Sequence, residues 1–155
     1  MSKEPKKALE YALRLLGQRA YSEKKLKDKL LSKEFEIDQV ESTLARLKEL
    51  DLINDRKFTV DFIDSRQRIN LQGKRKIYWS LIKKGISGEI ADDVLESVYD
   101  KDLEEVSIRE LIVKYSKGVP QDKLYQKLMR KLVSKGFNYS LAKDEIINFM
   151  AKSGS

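Results

Sequence analysis

The sequence contains no cysteine. Disulfides, thiolate metal sites and cysteine nucleophiles are therefore all excluded. It also lacks histidine, which removes the commonest general base and metal ligand together. Only two prolines and seven glycines occur in 155 residues, a scarcity that favours long helices over turns and sheets. No segment approaches the ~18 apolar residues of a membrane span. In KKALEYALRLLG, Glu10 and Arg14 interrupt any signal-peptide core, so a cytoplasmic protein is expected. The triplet Asn138-Tyr139-Ser140 matches a glycosylation acceptor, which has no meaning without secretion.

Charge is what the chain has in abundance. Charged residues make up 37% of it, with a formal net charge of +7 that points to a polyanion or an acidic protein surface as partner. Apolar residues, at 41%, suffice for hydrophobic cores.

The apolar residues recur with a fixed offset of 51 positions. KLKDKLLSKEF, GKRKIYWSLIKKGI and QKLMRKLVSKGF align without a gap, so Leu26 falls on Ile77 and Leu128, and Leu30 on Leu81 and Leu132. Leu31 likewise falls on Ile82 and Val133, and the following turn places Phe35 on Ile86 and Phe137. Gly85 matches Gly136, with Glu34 the exception. The register continues through Val40, Leu44 and Leu47 onto Ala91, Leu95 and Val98, and onto Ala142, Ile146 and Phe149. A period of this length means stacked repeats in which each unit buries its apolar face against the next.

Each repeat reads as three helices. The first contains helices over about Pro5–Arg19 (Leu9, Ala12, Leu13 and Leu16 inward), Ser22–Lys33 and Glu36–Leu50. The second contains helices over about Asp55–Ile69 (Phe58, Phe62, Ile63 and Ile69 inward), Lys74–Lys84 and Ser87–Tyr99. The third contains helices over about Asp102–Ser116 (Val106, Ile108, Leu111, Ile112 and Tyr115 inward), Gln121–Lys135 and Tyr139–Met150, with Ala151–Ser155 frayed. Ser22 and Ser87 are N-cap candidates, as is the Asn54-Asp55 pair. Gly85 and Gly136 suit the residue just beyond a helix end. The predicted fold is all-α: an elongated tandem array of helix-turn-helix-like repeats over 1–53, 54–100 and 101–155.

The offset also aligns the lysines. Lys25, Lys76 and Lys127 share one position, Lys33, Lys84 and Lys135 another, and Lys29 and Lys131 a third, with Ser80 between. Spaced by four, they form a stripe on the middle helix of each repeat. The middle helix of the first repeat carries five lysines against Glu23 and Asp28. Its counterpart in the second carries Lys74, Arg75, Lys76, Lys83 and Lys84 without an acid. In the third, five basic residues face Asp122 alone. The repeated stripe suits a linear polyanion or a polymeric partner. A solvated face, balanced by the acidic third helices (Glu89, Asp92, Asp93 and Glu96 in the second repeat), would look the same. Tyr78 and Trp79 sit among these cations, placed either to stack on a partner or to pack on the next repeat. Arg66 and Arg68 either extend the basic surface or cap their own helix.

Catalytic constellations are missing. Gly73-Lys74 has neither the earlier glycine nor the following Ser/Thr of a phosphate loop. Asp92-Asp93 and Glu104-Glu105 are adjacent on helices, so their side chains diverge and cannot act as a couple. An enzyme is not expected, and no cofactor is implied.

The stretches LLGQRAYSEKKLKDKLLSKEF, LKELDLINDRKFTVDFIDSR and GKRKIYWSLIKKGI resemble the RecX regulatory proteins of bacteria. The likeness is carried by Leu16, Arg19, Ser22, Leu26, Leu30, the Leu52–Asp55 turn, Phe58, Arg66, Gly73, Ile77, Leu81 and Lys84-Gly85-Ile86. In the third repeat it rests on Leu128, Leu132 and Gly136-Phe137, while Glu34 departs from the glycine many members carry. The resemblance implies three three-helix repeats and no catalytic residues. It also implies binding in the groove of the RecA nucleoprotein filament, restraint of RecA, and contact with single- or double-stranded DNA by some members. A monomer is expected. On this reading the contact surface comprises Lys25, Lys29, Lys33, Arg66, Arg68, Lys74, Arg75, Lys76, Tyr78, Trp79, Lys83, Lys84, Lys127, Lys131 and Lys135.

Overall fold

The computed structural model describes residues 5–153. Among the described residues the chain forms nine α-helices and no strand: α1 (Pro5–Gln18), α2 (Glu23–Ser32), α3 (Ile37–Glu49), α4 (Asp55–Arg68), α5 (Lys74–Lys83), α6 (Gly88–Val98), α7 (Lys101–Ser116), α8 (Gln121–Ser134) and α9 (Tyr139–Ser153). The array is thus all-helical and built of repeats, as the 51-residue period requires.

The helix starts follow from side chains that satisfy free backbone N–H groups. The Ser22 hydroxyl accepts from Lys25 N–H at 3.2 Å, Asn54 Oδ1 from Lys57 N–H at 3.1 Å and the Ser87 hydroxyl from Ile90 N–H at 3.2 Å. Asp100 Oδ1 accepts from both Asp102 and Leu103 N–H at 3.0 Å. Beyond α2, α5 and α8 the chain turns through the left-handed region, with φ of 67° at Glu34, 89° at Gly85 and 95° at Gly136. Glu34 therefore takes the backbone shape of its glycine counterparts, at a cost of ~1–2 kcal/mol for a residue with a Cβ.

Two compact units are formed, one from residues up to 61 with 81–92, the other from 62–80 with 93 onwards. In the first, α1, α2 and α3 enclose Ala8, Ala12, Leu26, Leu30, Phe35, Val40, Leu44 and Leu47. In the second, α7, α8 and α9 enclose Ile108, Leu111, Ile112, Leu128, Leu132, Phe137, Ala142 and Ile146. Helices α4, α5 and α6 contribute residues to both units. Leu26, Ile77 and Leu128 are wholly buried, as are Leu30, Leu81 and Leu132, each worth roughly 1.5–3 kcal/mol of burial.

Several inward assignments are corrected. Leu13 is exposed, and Ala8 takes its place beside Ala12. Ile69 is 76% exposed, because α4 instead turns Thr59, Ile63 and Gln67 inward at intervals of four. That register is held by Gln67, whose Nε2 donates to Asp100 O at 2.7 Å while its Oε1 accepts from Asp100 N–H at 3.0 Å. Val106 is 54% exposed and Ser107 is buried, while Val98 is exposed and Val94 buried. At the C-terminus, residues 151–153 continue α9 rather than fray; Gly154 and Ser155 lie outside the described residues.

Within each unit an equivalent joint links successive repeats. In the first, the Ser22 hydroxyl donates to Lys84 O and Glu23 N–H donates to Asp55 Oδ1 at 2.9 Å. In the second, Gly73 N–H donates to Lys135 O at 2.8 Å and Arg75 N–H to Gly136 O at 3.2 Å. Gly73 and Ser22 are equivalent positions, as are Lys135 and Lys84. The start of one middle helix thus rests on the end of the next repeat's middle helix. Close approach makes the glycines necessary. A Cβ on Gly85 would stand 2.6 Å from Lys24 Cβ, one on Gly136 2.5 Å from Lys76 Cβ, and one on Gly73 inside the Gly136 backbone. The third repeat differs: Leu124, equivalent to Ser22 and Gly73, lies buried within α8, which begins three residues earlier.

Candidate partner-binding surface

The second joint shows how the fold supports its cations. Gly73 supplies no capping side chain to α5, so the Gly73 and Arg75 N–H groups find other acceptors, the Lys135 and Gly136 carbonyls. In the same unit the Tyr99 hydroxyl donates to Glu104 Oε2 at 2.5 Å. Burial, then the Glu104 carboxylate, pushes the Tyr99 phenol far above its ordinary range, so it remains a proton donor. At the first joint, burial raises the Asp55 carboxyl above the ordinary aspartate range, opposed by the hydrogen bond from Glu23 N–H.

Apart from Arg68, the basic residues fall into three settings. Lys25, Lys29, Lys74, Arg75, Lys76, Lys83 and Lys127 are exposed. Lys25 and Lys29 line a shallow cavity of about 220 Å³ with Arg19, Tyr21, Asp28 and Ser32, where the Arg19 guanidinium lies 4.7 Å from the Tyr21 ring centre. A second group rests on aromatic rings: Lys33 on Tyr11 at 5.6 Å, Lys131 on Tyr115 at 5.2 Å and Arg66 on Phe62 at 4.7 Å. The third group sits at the joints. Lys84 and Lys135 are half-buried there, and each presents its backbone carbonyl to the preceding repeat. Lys135 Nζ donates to Asn70 O at 2.7 Å. Burial, followed by the charges of Lys76 and Lys114, holds its ammonium below the ordinary lysine range.

Arg68 is occupied by an ion pair with Asp64 at 2.6 Å. Trp79 is 54% exposed, and its indole meets the half-buried Tyr78 ring edge-to-face at 5.1 Å. Lys114 was not apparent from the sequence as part of a basic surface. Its counterpart one period earlier is Ile63, so only the packing of α7 places its charge near Lys135. Among the described residues no group of three or more acidic side chains could hold a metal ion, and no helix is long and apolar enough to cross a membrane.

Family models for the first and second three-helix domains of RecX match residues 8–47 and 54–95. The chain belongs to the RecX family. Among relatives named regulatory protein RecX, that of Caldanaerobacter subterraneus is 34% identical over 134 residues, covering 86% of this chain and 66% of the relative. For a Clostridium perfringens RecX the figures are 38%, 83% and 61%, and for a Clostridium botulinum RecX 31%, 92% and 70%. The chain thus spans about two thirds of the length of these relatives. The crystal structure of RecX from Lactobacillus salivarius matches with a TM-score of 0.85 at 27% identity, covering 95% of this chain and 96% of that one. A second RecX crystal structure shares the fold, with a TM-score of 0.78 at 24% identity, covering 88% and 68%.

Proposed function

We propose that this RecX-family chain is a non-enzymatic, cytoplasmic regulator that binds the RecA recombinase filament. It restrains the ATPase, strand-exchange and coprotease activities of RecA, and so regulates recombination and DNA repair. Three three-helix repeats, 1–53, 54–100 and 101–155, act as one monomeric body contacting successive protomers. The observation that carries this reading is the family membership, together with lysines repeated at 25, 76 and 127 on helices of equivalent role. A partner that repeats along an axis is the kind of target a repeated cationic face suits. A ligand bridging neighbouring protomers favours one filament state through its differential affinity for the two.

The test is RecA ATPase on single-stranded DNA, with and without this chain and its Lys25→Glu/Lys76→Glu/Lys127→Glu variant. The wild-type chain is expected to slow turnover and the triple variant to leave it near the uninhibited rate. No effect of the wild-type chain on RecA overturns the reading. Undiminished inhibition by the variant overturns the assigned surface. The second reading, a DNA-binding protein with helix-turn-helix-like modules, predicts steeply salt-dependent binding to naked DNA and no effect on RecA once DNA is in excess.

A further inference from the structure

At the second joint, lysines from three helices surround Lys135. Lys131 lies one turn earlier on α8, where its backbone carbonyl accepts from Lys135 N–H at 3.0 Å. Lys76 lies on α5, its Cβ only 2.5 Å from where a Cβ on Gly136 would stand. Lys114 comes from α7; its ammonium and that of Lys131 stand 5.6 and 5.2 Å from the centre of the same ring, Tyr115. None of the four lysines has a carboxylate partner among the described residues. One period earlier the positions of Lys76, Lys114, Lys131 and Lys135 hold Lys25, Ile63, Ser80 and Lys84. Lys84 plays the same part at the first joint with only one of those cations matched.

Crowding of this kind changes what an amine can do. Burial, then the charges of Lys76 and Lys114, shifts Lys135 towards its neutral form. A neutral amine is a nucleophile, and an ammonium is not. The bond that fixes the side chain, from Nζ–H to Asn70 O at 2.7 Å, uses a hydrogen and leaves the lone pair of the neutral amine free. It lies at the surface, within reach of a reagent. The neighbours also select that reagent. Compact ammoniums suit phosphate oxygens as point charges, so Lys76, Lys114 and Lys131 favour a donor whose leaving group is phosphate.

We propose that Lys135 is a modification site for small acyl phosphates. Its Nζ lone pair attacks the acyl carbon and a C–N bond forms. The bond from that carbon to the phosphate oxygen breaks, and phosphate departs with its electron pair and takes up the proton that Nζ sheds. The amide N–H left on Nζ still serves Asn70 O as a donor, while the positive charge is gone. Acylation thus lowers the charge of this surface without opening the joint, and it requires neither RecA nor DNA.

The full chain is incubated with acetyl phosphate at mildly alkaline pH, and acetylation of each lysine is followed by peptide mass spectrometry. Lys135 is expected to react roughly fivefold or more faster than Lys84, Lys57 and Lys143. The Lys76→Met/Lys114→Met variant, its fold checked by circular dichroism, should bring Lys135 to within about twofold of those lysines. With S-acetyl-N-acetylcysteamine, an uncharged thioester, the preference for Lys135 should fall by about half or more. Equal rates at Lys135 and the three comparison lysines overturn the proposal, as does an unchanged Lys135 rate in a folded variant. A preference just as large with the thioester overturns the choice of acyl phosphate. The comparison with Lys84 is made within the wild-type chain, so it decides the matter even if the variant unfolds.

Discussion

The Ser22 hydroxyl donates to the carbonyl of Lys84, 62 residues further along, while accepting the N–H of Lys25. One oxygen therefore caps α2 and holds the first joint. Ser22→Ala removes both bonds and leaves the Lys84 carbonyl without its donor; a destabilisation of about 2 kcal/mol is expected, read from urea unfolding. A change below ~0.5 kcal/mol would show that the joint contributes little.

Glycines at the second joint should be far less replaceable than the glycine of α1. Gly73→Ala drives a Cβ into the Gly136 backbone, which has no flexible end to yield, so a cost on the order of 3 kcal/mol is expected. Gly17→Ala meets nothing within 4 Å and lies inside a helix, so it should stabilise by roughly 0.5–1 kcal/mol. Thermal melts of the two variants should move in opposite directions.

Glu34→Gly is expected to stabilise the protein. It relieves a left-handed backbone worth ~1–2 kcal/mol, less the greater freedom of glycine in the unfolded chain, for a net gain of about 0.5–1 kcal/mol. Calorimetry reads the gain as a melting temperature raised by roughly 1–4 °C.

Lys135 gives the second joint a pH dependence. Its folded ammonium loses the proton more readily than the unfolded one, because burial and then Lys76 and Lys114 disfavour the charge. In the window just below the ordinary lysine value the unfolded chain binds more protons, so this contribution to stability rises with pH there. Lys135→Met should flatten that rise, as measured by unfolding at neutral and mildly alkaline pH. A slope identical to wild type would refute the assignment.

Much of the fold is legible in the sequence because burial is periodic. Leu26, Leu30, Phe35, Val40 and Leu44 sit in the core with their counterparts one and two periods on. What misleads is hydrophobicity where a polar side chain occupies the core. Gln67 takes the inward place in α4 by clamping Asp100, which turns Ile69 outward, and no apolar pattern signals such a pair. The surface is legible in the same uneven way. Lys25, Lys76 and Lys127 could be found by alignment, but Lys114 acquires its role from the packing of α7, and the half-buried Lys84 and Lys135 commit their backbone carbonyls to the joints.

The early start of α8 has a consequence for growth of the stack. Where α2 and α5 open on an uncovered first turn that receives the following repeat, α8 has Leu124 committed to its own core and a further stretch of helix ahead of it. A fourth brick laid in the same bond would find its seat already filled.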